Sequence, residues 1–143
     1  MTVKAILSVK GTEVLTIEPT TNLAAAAKLL AERKIGALVV TGPDRRVVGI
    51  VSERDIVQEL AAHGPAALDL ALTEVMTRKV TTCSASDTIV SVMERMTAGK
   101  FRHMPVVTKG ELVGLVSIGD VVKQRVGEIE HESEALRDYI RTA

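Results

Sequence analysis

Two short segments of this sequence carry residue types suited to holding a phosphate and a ribose. Ser52-Glu53-Arg54-Asp55 and Ser117-Ile118-Gly119-Asp120 each place a hydroxyl three residues before a carboxylate, directly after an apolar run that contains a glycine. Such a segment reads as a strand passing into a helix. The first-turn N–H groups and the positive end of the helix dipole then favour a phosphate. A carboxylate one turn in accepts hydrogen bonds from two adjacent hydroxyls, the arrangement of a ribose 2′,3′-diol. The same spacing also makes a capping box, in which both side chains serve the helix's own backbone. For either segment alone the cap is the better reading; recurrence at the same place in both halves brings the nucleotide reading forward.

Other chemistry finds little support. His63, His103 and His131 are far apart, and none makes a His-x-x-x-His pair or neighbours a cysteine. Cys83 is the only cysteine, which excludes an intramolecular disulfide, and it reads as a small buried hydrophobe. Neither Ser52 nor Ser117 stands in a Gly-x-Ser-x-Gly elbow, and no Walker-type loop is present. The expectation is a chain that catalyses nothing.

The elements that position these segments come from a duplication. Val47 to Asp55 is matched by Leu112 to Asp120, and Glu18 to Leu23 by Ser84 to Ile89, at offsets of 65 and 66 residues. Each copy holds an amphipathic helix: Leu23, Ala26, Ala27 and Leu30 form one stripe, and Ile89, Val92, Met93 and Met96 the other. Ser86 or Asp87 is the expected cap of the latter. Each helix leads into an apolar strand, at Ala37 to Val40 and at Met104 to Val107. A turn and a second strand follow, Val47 to Val51 and Leu112 to Val116. A second helix opens at Ser52 or Ser117 and is expected to stop near Gly64 or Gly127.

The reading is therefore an α/β chain (α+β by other schemes) of two helix–strand–strand–helix repeats. Residues 1–66 hold the first repeat with a lead-in segment around Val3 to Leu7. Residues 67–127 hold the second, with a lead-in helix around Leu72 to Met76, and residues 128–143 form a C-terminal amphipathic helix. The connector over residues 64–71 is too short to let the lobes separate. In the tail, Ile129, Leu136, Tyr139 and Ile140 share a face that either docks on its own lobe or forms an oligomer contact.

The duplicated unit resembles the CBS (cystathionine-β-synthase) domain, and two in tandem resemble a stand-alone bacterial Bateman module. The resemblance rests on Ile35 to Val40 with Gly49 to Asp55, and on Phe101 to Val107 with Gly114 to Asp120. It implies two clefts between lobes related by pseudo-two-fold symmetry, each suited to an adenine nucleotide of the AMP, ADP, ATP or NAD type. By that resemblance Asp55 and Asp120 hold ribose, while Ser52 and Ser117 contact phosphate. Gly36, Ala37 and Leu38, with His103, Met104 and Pro105, line the adenine slots; Thr16, Ile17, Thr81 and Thr82 add base contacts. The copies are unequal: Arg54 stands where the second has Gly119, and Arg102 and His103 stand where the first has Gly36 and Ala37. Convergence of Arg54, Arg102 and His103 on phosphates is expected if the lobes face each other. The resemblance also implies a homodimer and a protein target that reads the ligand state.

Composition narrows the partners. Lys plus Arg and Asp plus Glu number 18 each, so the basic excess of a typical DNA-binding domain is missing. Phe101 and Tyr139 are the only aromatic residues, too few for a base-stacking platform. No signal peptide or apolar run of membrane-spanning length is present, which makes the cytoplasm the default.

Overall fold

Apolar residues at helical spacing, then two β-branched runs broken by a turn, give each half of the chain the same series of elements. The computed structural model describes residues 1–142. Its first half runs α1 (Val3–Lys10), β1 (Thr16–Ile17), α2 (Leu23–Arg33), β2 (Ala37–Thr41), β3 (Val47–Ser52) and α3 (Glu53–His63). The second runs α4 (Leu72–Val75), α5 (Ile89–Gly99), β4 (His103–Thr108), β5 (Glu111–Ser117) and α6 (Ile118–Thr142). The mixed fold of two helix–strand–strand–helix repeats is thus present.

The duplication extends to register. β2 and β3 pair antiparallel with Ala37 opposite Ser52, and β4 and β5 do so with His103 opposite Ser117. Both hairpins shift register at the same place, between Val40 and Thr41 and between Val106 and Val107. β1 pairs in parallel with β2, Ile17 opposite Val40, and Cys83 forms the matching single bridge to Val106. Thr16 and Ile17 therefore correspond to Thr82 and Cys83.

The two cores cut across the sequence order. One is built from Leu23, Ala26, Leu30, Leu38, Val40, Val51 and Ile56 of the first repeat, but it also takes Leu72 and Met76 from the lead-in of the second. The other joins Ile89, Val92, Met96, Met104, Val106, Val116 and Val121 to Val3, Ile6 and Leu7 of α1. Each lead-in helix thus packs on the opposite lobe. Backbone hydrogen bonds fix the exchange: Val3 N donates to Asp87 O at 2.9 Å, and Leu72 N to Thr21 O at 2.8 Å. Full burial of a Val, Leu or Ile side chain stabilises by roughly 1.5–3 kcal/mol. The three of α1 and the pair around α4 therefore bind the lobes to each other.

Two expected boundaries are corrected. α5 is capped by Thr88, whose hydroxyl accepts from Ser91 N at 3.1 Å, and not by Ser86 or Asp87. Asp87 turns back instead, accepting from Ser84 N and pairing with Arg95, both at 2.9 Å. The helix opening at Ser117 does not stop at Gly127 but continues unbroken to Thr142. One glycine in a helix interior costs about 1 kcal/mol relative to alanine. The Glu-, Ala-, Leu- and Arg-rich stretch that follows sustains the helix past it. The end at residue 143 lies outside the described residues. The connector is also ordered, as a tight 3₁₀ stretch over Gly64–Asp69 with Ala67 buried. No helix among the described residues is long and apolar enough to cross a membrane.

Candidate functional site

Both Ser-x-x-Asp segments fold as full capping boxes. Asp55 N donates to Ser52 Oγ at 3.3 Å, and Ser52 N donates to Asp55 Oδ2 at 2.8 Å. In the second copy Asp120 N donates to Ser117 Oγ at 3.1 Å and Ser117 N to Asp120 Oδ2 at 2.9 Å. The cap takes one carboxylate oxygen in each case. The other, Oδ1, makes no hydrogen bond among the described residues. A carboxylate offers about four lone-pair sites, so capping a helix and accepting from an outside hydroxyl are compatible tasks.

Two clefts open between the lobes, and each is built from both repeats. The first, of about 830 Å³, sets Val14 and Leu15 and the loop Arg33 to Ala37 of repeat one against Leu115 and Ser117 of repeat two. The second, of about 530 Å³, sets Val80 and Thr81 and the loop Gly99 to His103 of repeat two against Ile50 and Ser52 to Asp55 of repeat one. The walls are equivalent at the duplication offset. The lysine ending each helix, Lys34 or Lys100, holds left-handed backbone at φ 54° or 57° and lies in the matching wall.

Charge favours an anion in both. Lys10, Arg33, Lys34 and Arg45 face the single carboxylate of Glu13 in the first cleft. Arg54, Lys79, Lys100 and Arg102 face Glu53 and Asp55 in the second. The expected group of Arg54, Arg102 and His103 is brought together there, and Arg54 reaches across the lobes to donate to Lys100 O at 3.2 Å. His103 lines both clefts and stands over Gly36. A Cβ on Gly36 would lie 3.0 Å from its Cε1, so the glycine lets the imidazole occupy the shared wall. Burial pushes His103 below the ordinary imidazole value; Lys10 and Arg102 add to that, and Glu53 and Asp120 oppose it.

The remaining sequence-derived residues divide. Gly36, Ala37, Ser52, Asp55, Thr81 and Ser117 line clefts. Leu38 and Met104 point into the lobe interiors, Pro105 is buried on the opposite face of β4, and Thr16, Ile17, Thr82 and Gly119 are likewise absent from the cleft walls. Asp120 sits one hydrogen bond behind the first wall, where Lys10 Nζ donates to its Oδ2 at 2.6 Å and to Leu115 O at 3.0 Å. Burial alone would raise Asp120, but the bonds from Lys10 and from Ser117 N–H hold its carboxyl below the usual range. Asp55 has no such lysine partner among the described residues. Sequence reasoning missed Lys10, Arg33, Lys34, Arg45, Lys79 and Lys100. A signal existed: Lys34 and Lys100 are 66 residues apart, the offset of the duplication.

Groups suited to other chemistry lie elsewhere. Cys83 is buried, and that burial pushes its thiol up to about 11, against the nearby Arg95. Among the described residues no three His, Cys, Asp or Glu side chains converge as a metal site.

Interleaved repeats enclosing a pair of basic clefts, each closed by a Ser-x-x-Asp helix start, define a tandem CBS pair. The CBS domain pattern matches residues 3–62 and 72–127, and the chain belongs to the CBS domain family. It is similar to the CBS-domain containing protein ATU1752 from Agrobacterium tumefaciens. That match has a TM-score of 0.83 and 45% identity, over 87% of this chain and 92% of that one. It is also similar to the CBS domain protein PAE2072 from Pyrobaculum aerophilum, whose structure was solved complexed with AMP. Here the TM-score is 0.75 and the identity 30%, over 84% of this chain and 89% of that one. The mitochondrial CBS domain-containing protein CBSX3 of Arabidopsis thaliana is 32% identical over 120 residues, which is 81% of this chain but 58% of that protein.

Proposed function

We propose that this chain is a non-catalytic sensor that binds an adenine nucleotide of the AMP, ADP, ATP or NAD type between its lobes. The observation that carries the reading is the division of labour within Asp55 and Asp120: Oδ2 caps the helix and Oδ1 is left for a hydroxyl. On this reading Asp55 holds the ribose in the second cleft, Ser52 and the start of α3 contact phosphate, Arg54 and Arg102 neutralise it, and His103 donates a ring N–H to it. In the first cleft Asp120 and Ser117 take the corresponding roles, with Lys10 beside them. AMP in the related PAE2072 supports the ligand class.

The clefts are proposed to differ in affinity. A ribose reaching Oδ1 of Asp120 meets a carboxylate whose charge Lys10 already neutralises through Oδ2, whereas Asp55 carries no such clamp. Ligand binding shifts lobe packing only so far as the ligand prefers one arrangement over another. A homodimer in the cytoplasm, read by a protein target, completes the proposal.

A second reading is favoured by the intact capping boxes: a partner-interaction platform in which Ser-x-x-Asp only starts helices. A thermal-shift screen with AMP, ADP, ATP, NAD and S-adenosylmethionine separates the two. The sensor reading expects stabilisation by at least one, reduced in Asp55→Asn or Asp120→Asn. No stabilisation by any of them would leave the platform reading standing.

A further inference from the structure

α6 is 25 residues long, and it meets the body through one face only. Val121 is fully buried, and Arg125 and Glu128, at the next turns of the same face, are half-buried. About 100° around the helix, a second stripe is left exposed. Val122, Val126, Ile129, Ser133, Leu136 and Ile140 follow one another in alternating steps of four and three. The apolar members are 46% to 65% exposed. Single exposed apolar residues are ordinary; five on one seam with a 3.5-residue period form the a/d stripe of a coiled coil.

The register assigns positions. Val126, Ser133 and Ile140 fall at a, and Val122, Ile129 and Leu136 at d. The flanking charges set the orientation. In a parallel pair, g of one helix meets e of the next heptad in the other. That places Glu132 against Arg137 of a second copy, a contact between opposite charges that the symmetry makes twice. In the fully overlapped antiparallel register, Glu130 meets Glu130, Glu132 meets Glu132, and Lys123 meets Arg137. Within the chain, Arg125 pairs with Glu128 at 3.0 Å, whereas Glu130, Glu132 and Arg137 make no ion pair among the described residues.

We infer that α6 pairs with α6 of a second copy of this chain as a parallel, in-register two-stranded coiled coil over residues 122–140. The body-facing stripe stays on its own lobes, so both bodies sit at the same end of the pair.

Disulfide trapping tests this on the full chain. Ile129→Cys and Leu136→Cys are made singly, at exposed positions that leave the fold intact, with the wild type, whose Cys83 is buried, as control. Under mild oxidation at low micromolar concentration, both variants should run mostly as covalent dimers on a non-reducing gel, and the wild type should not. Only a parallel in-register pair brings both positions against themselves. Glu132→Lys in either background should lower the trapped fraction several-fold, and Glu132→Lys with Arg137→Glu should restore it. A monomeric product from either cysteine variant overturns the inference, as does a trapped fraction that the charge reversals leave unchanged.

Discussion

Replacing Asp55 in two different ways separates the helix cap from the nucleotide site. Asp55→Ala removes both the acceptor for Ser52 N, now at 2.8 Å, and the outward oxygen. Loss of such a cap costs about 1 kcal/mol, which for a chain of this length lowers Tm by roughly 3–5 °C. Asp55→Asn keeps an oxygen for the cap, so its stability should fall by less than about 0.5 kcal/mol, the range of a mild surface change. It replaces the outward carboxylate oxygen by an amide nitrogen, which donates but does not accept. A hydrogen bond to a charged group contributes about 1.5–3 kcal/mol, and ~1.4 kcal/mol is tenfold in Kd. AMP binding to the second cleft should therefore weaken roughly 10- to 150-fold in Asp55→Asn, with Tm nearly unchanged. Differential scanning calorimetry reads the stability and isothermal titration calorimetry reads the affinity. If Asp55→Asn binds AMP as tightly as the wild type does, the carboxylate is only a cap and the reasoning fails.

Other consequences follow from particular contacts. Gly49→Ala should destabilise by about 1–3 kcal/mol, as overpacking does, because its Cβ would meet Met76 Sδ at 2.5 Å and the fixed carbonyl of Thr77 at 3.1 Å. Gly114→Ala should cost less in the same urea titration, since it meets only side-chain atoms of Leu7 and no backbone. Lys10→Met should lower stability at pH 7 by about 0.5 kcal/mol, the scale of a solvent-screened pair, because Lys10 is 39% exposed. Asp120 is held low in the folded chain, so its contribution is present above the ordinary carboxylate range and fades as pH falls through the folded value. The stability difference between pH 7 and acid should accordingly narrow in Lys10→Met, as pH-resolved denaturant melts will show. Cys83, buried with its thiol pushed up to about 11, should resist a thiol reagent at pH 8 in the native chain and react in step with unfolding; fast native-state labelling would refute that burial.

The sequence carried the repeated elements clearly because duplication writes the same pattern twice. Val47 to Asp55 and Leu112 to Asp120 show strand, glycine and helix cap in the same order, and both became equivalent hairpins and capping boxes. The partner of each lead-in helix was not legible. Val3, Ile6 and Leu7 announce an apolar stripe, but a stripe does not say which lobe covers it, and the answer was the opposite one. That exchange brings Lys10 to Asp120, 110 residues away. The repeats taken singly carry no sign of it. Leu38 and Met104 belong to apolar strands covered on both faces, so their side chains fill the lobes. Gly127 read as a stop because glycine commonly follows a helix end. In the absence of a left-handed turn or a proline after it, the helix simply continues. The short β1 pairing was missed because two residues, Thr16 and Ile17, carry no period.

The central claim is nucleotide binding between the lobes through Asp55 and Asp120. Its most direct test is calorimetric titration of the full chain with AMP, run beside Asp55→Asn/Asp120→Asn. The account predicts saturable binding to the wild type and loss of that binding in the double variant, which remains folded. Equal binding by the two proteins, or no heat with AMP or any other adenine ligand in the panel, would contradict it.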